Sequence, residues 1–159
     1  MASPSLLAET MNDIPETSAL ARHDARGYGI AVLPISFFRQ SEEVDMEGVW
    51  ILTELIASDG CWLAPIPVEA SHGIVMDGNH RLRAAMRLGL KCLPCIPLCY
   101  GDARICVRDW HSGEPFDTRC ILHTVAAGAL LPHKSTRHFF EPSLPRTSIP
   151  LERLRTQGR

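Results

Sequence analysis

Apolar positions along this chain fall into short runs separated by polar turns. Residues 30–35 form a continuous apolar run and predict a first strand, followed by the polar loop Arg39-Gln40-Ser41-Glu42-Glu43. Residues 46–58 predict an amphipathic helix, with Val49, Trp50, Leu52 and Ile56 on or near its buried side and Asp59-Gly60 at its end. Residues 65–68 and 73–76 predict a second and a third strand, paired as a hairpin. From Leu82 to Gly89 the spacing turns helical, with strong helix formers and a terminal glycine. Strands are expected around 92–98 and 104–107. Gly113-Glu114-Pro115 marks a turn, and Asp117 or Thr118 can cap a helix running through Ile121, Leu122, Val125 and Ala126 to Gly128. The polar cluster His133-Lys134-Ser135-Thr136-Arg137-His138 reads as a loop, and a proline-rich tail from Glu141 ends in Leu151-Glu152-Arg153-Leu154. Residues 1–28 are polar and mixed without sustained periodicity, and read as a flexible arm with a short helix near 18–23. No internal repeat or low-complexity tract is present. The predicted class is α+β, a small mixed sheet with flanking helices in a single domain over 29–159.

Composition bounds this picture without changing it. A chain of 159 residues is long enough for one domain with a real core, and 45% hydrophobic residues exclude wholesale disorder. The formal net charge of −2 supplies no global field to recruit nucleic acid, although it leaves room for a local basic patch. No apolar run is long enough to span a membrane, and the first residues lack a charged-then-apolar signal pattern, so a cytoplasmic location is the expectation. Cys92-x-x-Cys95-x-x-x-Cys99 supplies only half of a zinc pattern, with no second CxxC or His-x-x-x-His after it. Residues 92–99 fit better as a strand with small apolar side chains, so the cysteines are read as packing residues.

The chemistry concentrates in two clusters about fifty residues apart. The first, Asp77-Gly78-Asn79-His80-Arg81, joins an apolar strand to a helix. A strand that passes through glycine into a helix N-terminus makes an anion site, because the first-turn amides lack intrahelical acceptors and the dipole is positive there. Asn79, His80 and Arg81 add side-chain donors for phosphate oxygens. Asp77 would repel phosphate unless it holds a metal ion, a proton in transit or a neighbouring cation. The second cluster, residues 134–138, sets an ammonium, two hydroxyls, a guanidinium and an imidazole in succession, a set suited to a polyphosphate. The plain alternatives are a capped surface turn and a solvated basic loop. Phosphoryl transfer needs Mg²⁺ and an oriented nucleophile, and the available carboxylates are Asp77, Glu42 and Glu43. Trp110 can wall a small-molecule pocket or simply belong to the core.

Asp77 to Leu82, followed by Arg83-Ala84-Ala85, resembles the Asp-Gly-x-His-Arg signature of the ParB/sulfiredoxin-like superfamily. Gly89-Leu90-Lys91-Cys92-Leu93-Pro94-Cys95 also fits, as a helix end leading into a strand. The segment from Ile121 through Pro132-His133-Lys134-Ser135-Thr136-Arg137-His138 looks like the C-terminal part of the free L-serine kinases. There a helix and a glycine precede a Pro-x-Lys-(Ser/Thr)-Thr-Arg-His element, and both elements hold the nucleotide phosphates. The tail over 149–154 is similar too. The resemblance covers roughly residues 30–155, and its two motifs are specific together and weak singly.

That resemblance implies a kinase acting on the hydroxyl of free L-serine, with ATP or ADP as donor and Mg²⁺ as cofactor. The family's catalytic glutamate lies in the loop after the first strand, and counting back from Pro65 without gaps places Glu42 there, with Glu43 the close rival. Asp77 matches a residue that assists metal binding or hydroxyl activation. Gly78, Asn79, His80 and Arg81 fall in the first phosphate element, and Lys134, Ser135, Thr136, Arg137 and His138 in the second. His80, Arg81 and Arg137 are implied to stabilise charge on the transferring group. Trp110 matches a tryptophan at the serine pocket, with Glu43 as a second substrate contact. The chain departs from the pattern at Asn79, where some relatives have histidine, and lacks the insertion longer relatives carry after the Trp110 region.

Two other readings stay open at this point. A nucleotide-responsive regulator or DNA-associated protein of the same superfamily would need a helix-turn-helix or a basic face, and the sequence shows neither. A sulfiredoxin-like redox enzyme would need a cysteine in the phosphate loop, and residues 77–81 contain none.

Overall fold

The computed structural model describes residues 22–23 and 27–156. Three edge-to-edge systems of strands are built in chain order. After β1 (Arg22–His23) and β2 (Gly29–Pro34), a 3₁₀ turn at Ile35–Phe37 leads to α1 (Met46–Asp59). Then come β3 (Cys61–Trp62), β4 (Ile66–Glu69), β5 (Ile74–Val75), α2 (Asn79–Arg87), β6 (Cys92–Leu98) and β7 (Ile105–Asp109). The chain continues through α3 (Thr118–Ala126), β8 (Thr136–Phe140), β9 (Ile149–Pro150) and α4 (Leu151–Arg155). The main sheet runs β1-β2-β6-β4-β5, while β3–β9 and β7–β8 form two-stranded ribbons.

β6 is near-continuously apolar because it sits at the centre of the main sheet, antiparallel to β2 and parallel to β4. A strand covered on both faces has no solvent side to alternate toward. All four residues of β4 are buried for the same reason. The β4–β5 hairpin pairs Val68 with Val75 and Glu69 with Ile74, as the sequence predicts. Its turn closes at Gly73, where φ is +70° and a Cβ would collide with the Phe37 carbonyl oxygen, so the position takes only glycine.

α1 starts at Asp45, whose carboxylate accepts from the Glu47 and Gly48 N–H groups, and stops at the left-handed Gly60. Asp117 caps α3 by accepting from the Arg119 N–H. The main core gathers Trp62, Ile66, Val68, Val75, Leu82, Leu93 and Cys95 with Leu151 and Leu154 of α4. A second cluster packs Tyr28, Ile30, Met76, Ile96 and Leu98, and a third seats Ile121 and Val125 of α3 against Ile74, Val107 and Leu131.

Several expectations need correction. The cluster 134–138 is not a loop throughout: Thr136–Phe140 forms β8, paired with β7 from Asp109↔Thr136 to Ile105↔Phe140. Arg22–His23, expected at the end of a short helix, are extended and pair with β2. The rest of that expected helix, and of the arm over 1–21 and 24–26, lies outside the described residues. On α1, Val49 is buried and Leu52 and Ile56 are partly buried, but Trp50 faces outward. The six thiols are free; Cys95 is in the core, whereas Cys99, Cys106 and Cys120 are exposed and do not pack as expected. Among the described residues no helix is long and apolar enough to cross a membrane.

Candidate functional site

Four segments of the chain meet at one cleft of about 220 Å³. Its walls are Glu42 and Glu43 from the loop after β2, the junction Met76-Asp77-Gly78-Asn79-His80, Trp110 just past β7, and His133, Lys134 and Thr136.

The junction is shaped by Gly78. Its φ of +104° places it before α2 in a conformation that disfavours any side chain, and a Cβ there would lie 2.8 Å from Arg81 Nη2. The turn delivers the unbonded first-turn amides of α2 to the cleft. Asn79 is buried and works sideways. Its Oδ1 accepts from the Ser41 N–H at 2.8 Å, while Ser41 Oγ donates to the Val75 carbonyl at 2.6 Å. The helix start is thereby tied to the residue before Glu42.

The Glu42 loop is fixed from the other side as well. The Leu131 N–H donates to the Ser41 carbonyl at 2.9 Å, and the Glu43 N–H to the Leu131 carbonyl at 2.8 Å. The Glu42 carboxylate then accepts from the Ser135 N–H and from Thr136 Oγ1, both at 3.1 Å. Each carboxylate oxygen keeps a further lone pair for another donor.

His80 lines the cleft and accepts the Asp45 N–H through Nε2 at 3.1 Å, so its neutral form carries the proton on Nδ1. Burial lowers its pKa, and the nearby His133, with ring centroids 5.4 Å apart, lowers it further. Lys134 has φ of +58°, the one non-glycine residue in that region among the described residues. Such backbone costs energy and is held in place by its surroundings. Its ammonium stands 5.6 Å from the Trp110 ring, and the Arg137 guanidinium 4.9 Å from the same ring. Trp110 lines the cleft and is 39% exposed, with both cations near its ring.

Four residues expected in the phosphate elements do not bring their side chains to this cleft. Arg81 points inward, donating from Nη1 to the Ala64 carbonyl at 2.6 Å, with Asp77 3.7 Å away at its exposed end. Ser135 donates its hydroxyl to the Pro132 carbonyl. Arg137 and His138 are consecutive in a strand, and successive strand side chains point to opposite faces. Arg137 therefore lies outside with Phe139, at 5.4 Å from that ring. His138 turns inward, 3.0 Å from Tyr100 Oη through Nε2, with its buried Nδ1 unpartnered among the described residues and its pKa pushed down to about 4 by burial. Sequence reasoning did not single out Ser41, Met76 or His133. His133 adjoins the flagged cluster; the Ser41–Asn79 bond leaves no local signal.

Mg²⁺ takes one or two carboxylates plus phosphate oxygens and water. Asp77 fits that demand, since its side chain is 63% exposed at the cleft and, among the described residues, is paired only through a long contact to Arg81. Among the described residues no three His, Cys, Asp or Glu side chains converge as a closed metal cage.

Comparison with solved structures decides the fold. A free serine kinase in complex with AMP superposes with a TM-score of 0.71 over 79% of this chain and 93% of that one, at 12% identity. This chain has the fold of the free serine kinase. Further structures of that enzyme carry a glutamate replaced by alanine or glutamine, in complex with AMP or ADP. SbnI with a C-terminal truncation, from Staphylococcus aureus, shares the fold with a TM-score of 0.69 over 82% of this chain and 90% of that one, at 14% identity. In sequence, a ParB-like protein of Sulfolobus acidocaldarius is 33% identical over 73 residues, 46% of this chain. The chain spans about a third of that relative's length, 36%. No known family profile matches the chain.

Proposed function

We propose that the chain is a small-molecule kinase, transferring the terminal phosphate of ATP or ADP to the hydroxyl of free L-serine to give O-phospho-L-serine. The observation that carries this reading is the Glu42 carboxylate, braced by Ser135 and Thr136 in the same cleft as the first turn of α2. A base and an anion site share one small space, as in-line phosphoryl transfer to an alcohol requires. The fold shared with a serine kinase that binds AMP and ADP supports it.

A cleft of about 220 Å³ is below the usual 300–1,000 Å³ of whole-ligand pockets. It matches the reacting groups, with the nucleoside lying beyond the mouth. Glu42 accepts the serine hydroxyl proton as that oxygen attacks the terminal phosphorus; the P–O bond to the rest of the nucleotide breaks, and ADP or AMP leaves. The α2 amides, Lys134 and the Nδ1–H of His80 bind the phosphate oxygens. Asp77 would hold Mg²⁺, which would supply charge neutralisation when bound. Trp110 and Glu43 border the amino-acid side, Glu43 offering a carboxylate to the substrate ammonium.

The test is incubation with L-serine, Mg²⁺ and either ATP or ADP, followed by phosphorus NMR. A new phosphomonoester signal is expected. The ParB-like relative favours a second reading, a nucleotide-binding regulator. Nucleotide binding without turnover on any hydroxy amino acid would select it.

A further inference from the structure

α1 is apolar on both sides. Val49, Leu52 and Ile56 face the protein, yet Trp50 is 54% exposed and Ile51 and Leu55 are each 57% exposed on the outer side. A surface helix ordinarily confines its apolar residues to one stripe, and one that is apolar all round is ordinarily covered. On the neighbouring α2, Met86 is 48% exposed as well. The two helices are joined at this surface by the Arg87 guanidinium, 6.0 Å from the Trp50 ring, and by Arg83 Nη2, 3.9 Å from Met46 Sδ.

The charges around the patch indicate what covers it. Glu47 and Glu54 stand on the α1 side, and Arg83 and Arg87 on the α2 side. Among the described residues none of these four belongs to an ion pair. A face with an apolar centre, an acidic half and a basic half is complementary to itself after a twofold rotation. Each acidic α1 then meets the basic α2 of the other copy, and both apolar centres coincide. A membrane surface would instead select a basic face without the acids.

We propose that the outer face of α1 and α2 pairs isologously with the same face of a second copy of this chain. The interface is built from Trp50, Ile51, Leu55 and Met86, with Glu54 and Arg87 exchanged across it. It adjoins the catalytic loop without entering the cleft, since α1 begins at Asp45, the residue His80 holds.

Sedimentation equilibrium of the full chain, from low to high micromolar concentration, reads the outcome. A concentration-dependent dimer is expected, and Leu55→Glu should raise its dissociation constant at least a hundredfold while leaving far-ultraviolet circular dichroism unchanged. Charge reversal supplies an independent check. Glu54→Lys and Arg87→Glu proteins should each dimerise more weakly than the parent, whereas an equimolar mixture should recover the dimer, because the two altered faces complement each other. A monomer at every concentration overturns the proposal. So does a dimer indifferent to Leu55→Glu, or charge variants that mixing does not restore.

Discussion

Replacing Glu42 by glutamine and by alanine separates the proposed role of its carboxylate as a base from what it does in holding the cleft together. The carboxylate accepts two hydrogen bonds at 3.1 Å, from the Ser135 N–H and from Thr136 Oγ1. Glutamine reproduces this arrangement. Its carbonyl oxygen can face the Ser135 N–H, which can only donate, and its amide nitrogen can donate to Thr136, whose hydroxyl can turn to accept. The stability cost should stay below about 1 kcal/mol, the value of one ordinary hydrogen bond. Alanine leaves both donors without a partner. A hydrogen bond to a charged group is worth about 1.5–3 kcal/mol, and water in the open cleft recovers part of the loss. A net cost of about 2 kcal/mol follows, or about 4–8 °C in Tm at 2–4 °C per kcal/mol. Turnover should behave differently. Loss of a general base costs about 10²–10⁴-fold in kcat, and both variants lose it. Calorimetric titration with nucleotide, thermal melts and the phosphoserine assay on both variants form one experiment. Glutamine should bind nucleotide near the parent affinity, melt near the parent temperature and turn over at least a hundredfold more slowly. A glutamine variant within threefold of the parent rate would remove Glu42 as the base. One that loses nucleotide binding would make its role structural.

Three further outcomes follow from the same geometry. Gly78→Ala must adopt a φ of +104° with its Cβ 2.8 Å from Arg81 Nη2, and should lose about 1–3 kcal/mol, read as a lower urea midpoint at unchanged m-value. Asn79→Ala removes the acceptor of the Ser41 N–H; kcat should fall at least tenfold through displacement of Glu42, and a parental rate would show that the remaining bonds to Val75, Leu131, Ser135 and Thr136 hold the loop without Asn79. His138 is buried neutral with a pKa of about 4 against the ordinary 6.5, so the unfolded chain binds its proton first. Its contribution is complete above pH 6.5 and declines as pH falls through 6.5 toward 4. The whole decline amounts to about 3 kcal/mol, since each pH unit between the two values is worth about 1.36 kcal/mol. Urea titrations across that window should show a shallower decline for His138→Gln than for the parent.

Most of the strand-helix grammar of residues 29–128 was legible because the elements read there owe their form to local pattern. A continuous apolar run marks β6, Asp45 and Gly60 delimit α1, and a glycine turn closes the β4–β5 hairpin. What escaped reading is held by distant partners. β3 exists because β9 pairs with it about ninety residues later, and α4 because Leu151 and Leu154 complete a core whose other members precede residue 96. A five-residue helix carries too little periodicity to announce itself. Trp50 illustrates a different limit. Hydrophobicity said that it would be covered, and no pattern within one chain says by what.

The two motifs specified where backbone goes more reliably than which side chains touch a ligand. In the first, Gly78 and the amides behind it reach the cleft, yet Asn79 bonds to Ser41 and Arg81 to the carbonyl of Ala64. In the second, the onset of β8 sends Arg137 and His138 to opposite faces, so five consecutive polar residues cannot form one cradle. These inward-turned residues are what make the site coherent. Asn79 fixes the loop of the proposed base to the start of α2, and Glu42 in turn fixes that loop to the segment carrying Lys134 and Thr136. Base, anion site and second loop are therefore coupled through a single short path of hydrogen bonds. The same polar residues that suggest phosphate contacts in the sequence act in the structure largely by holding other groups in place at the cleft.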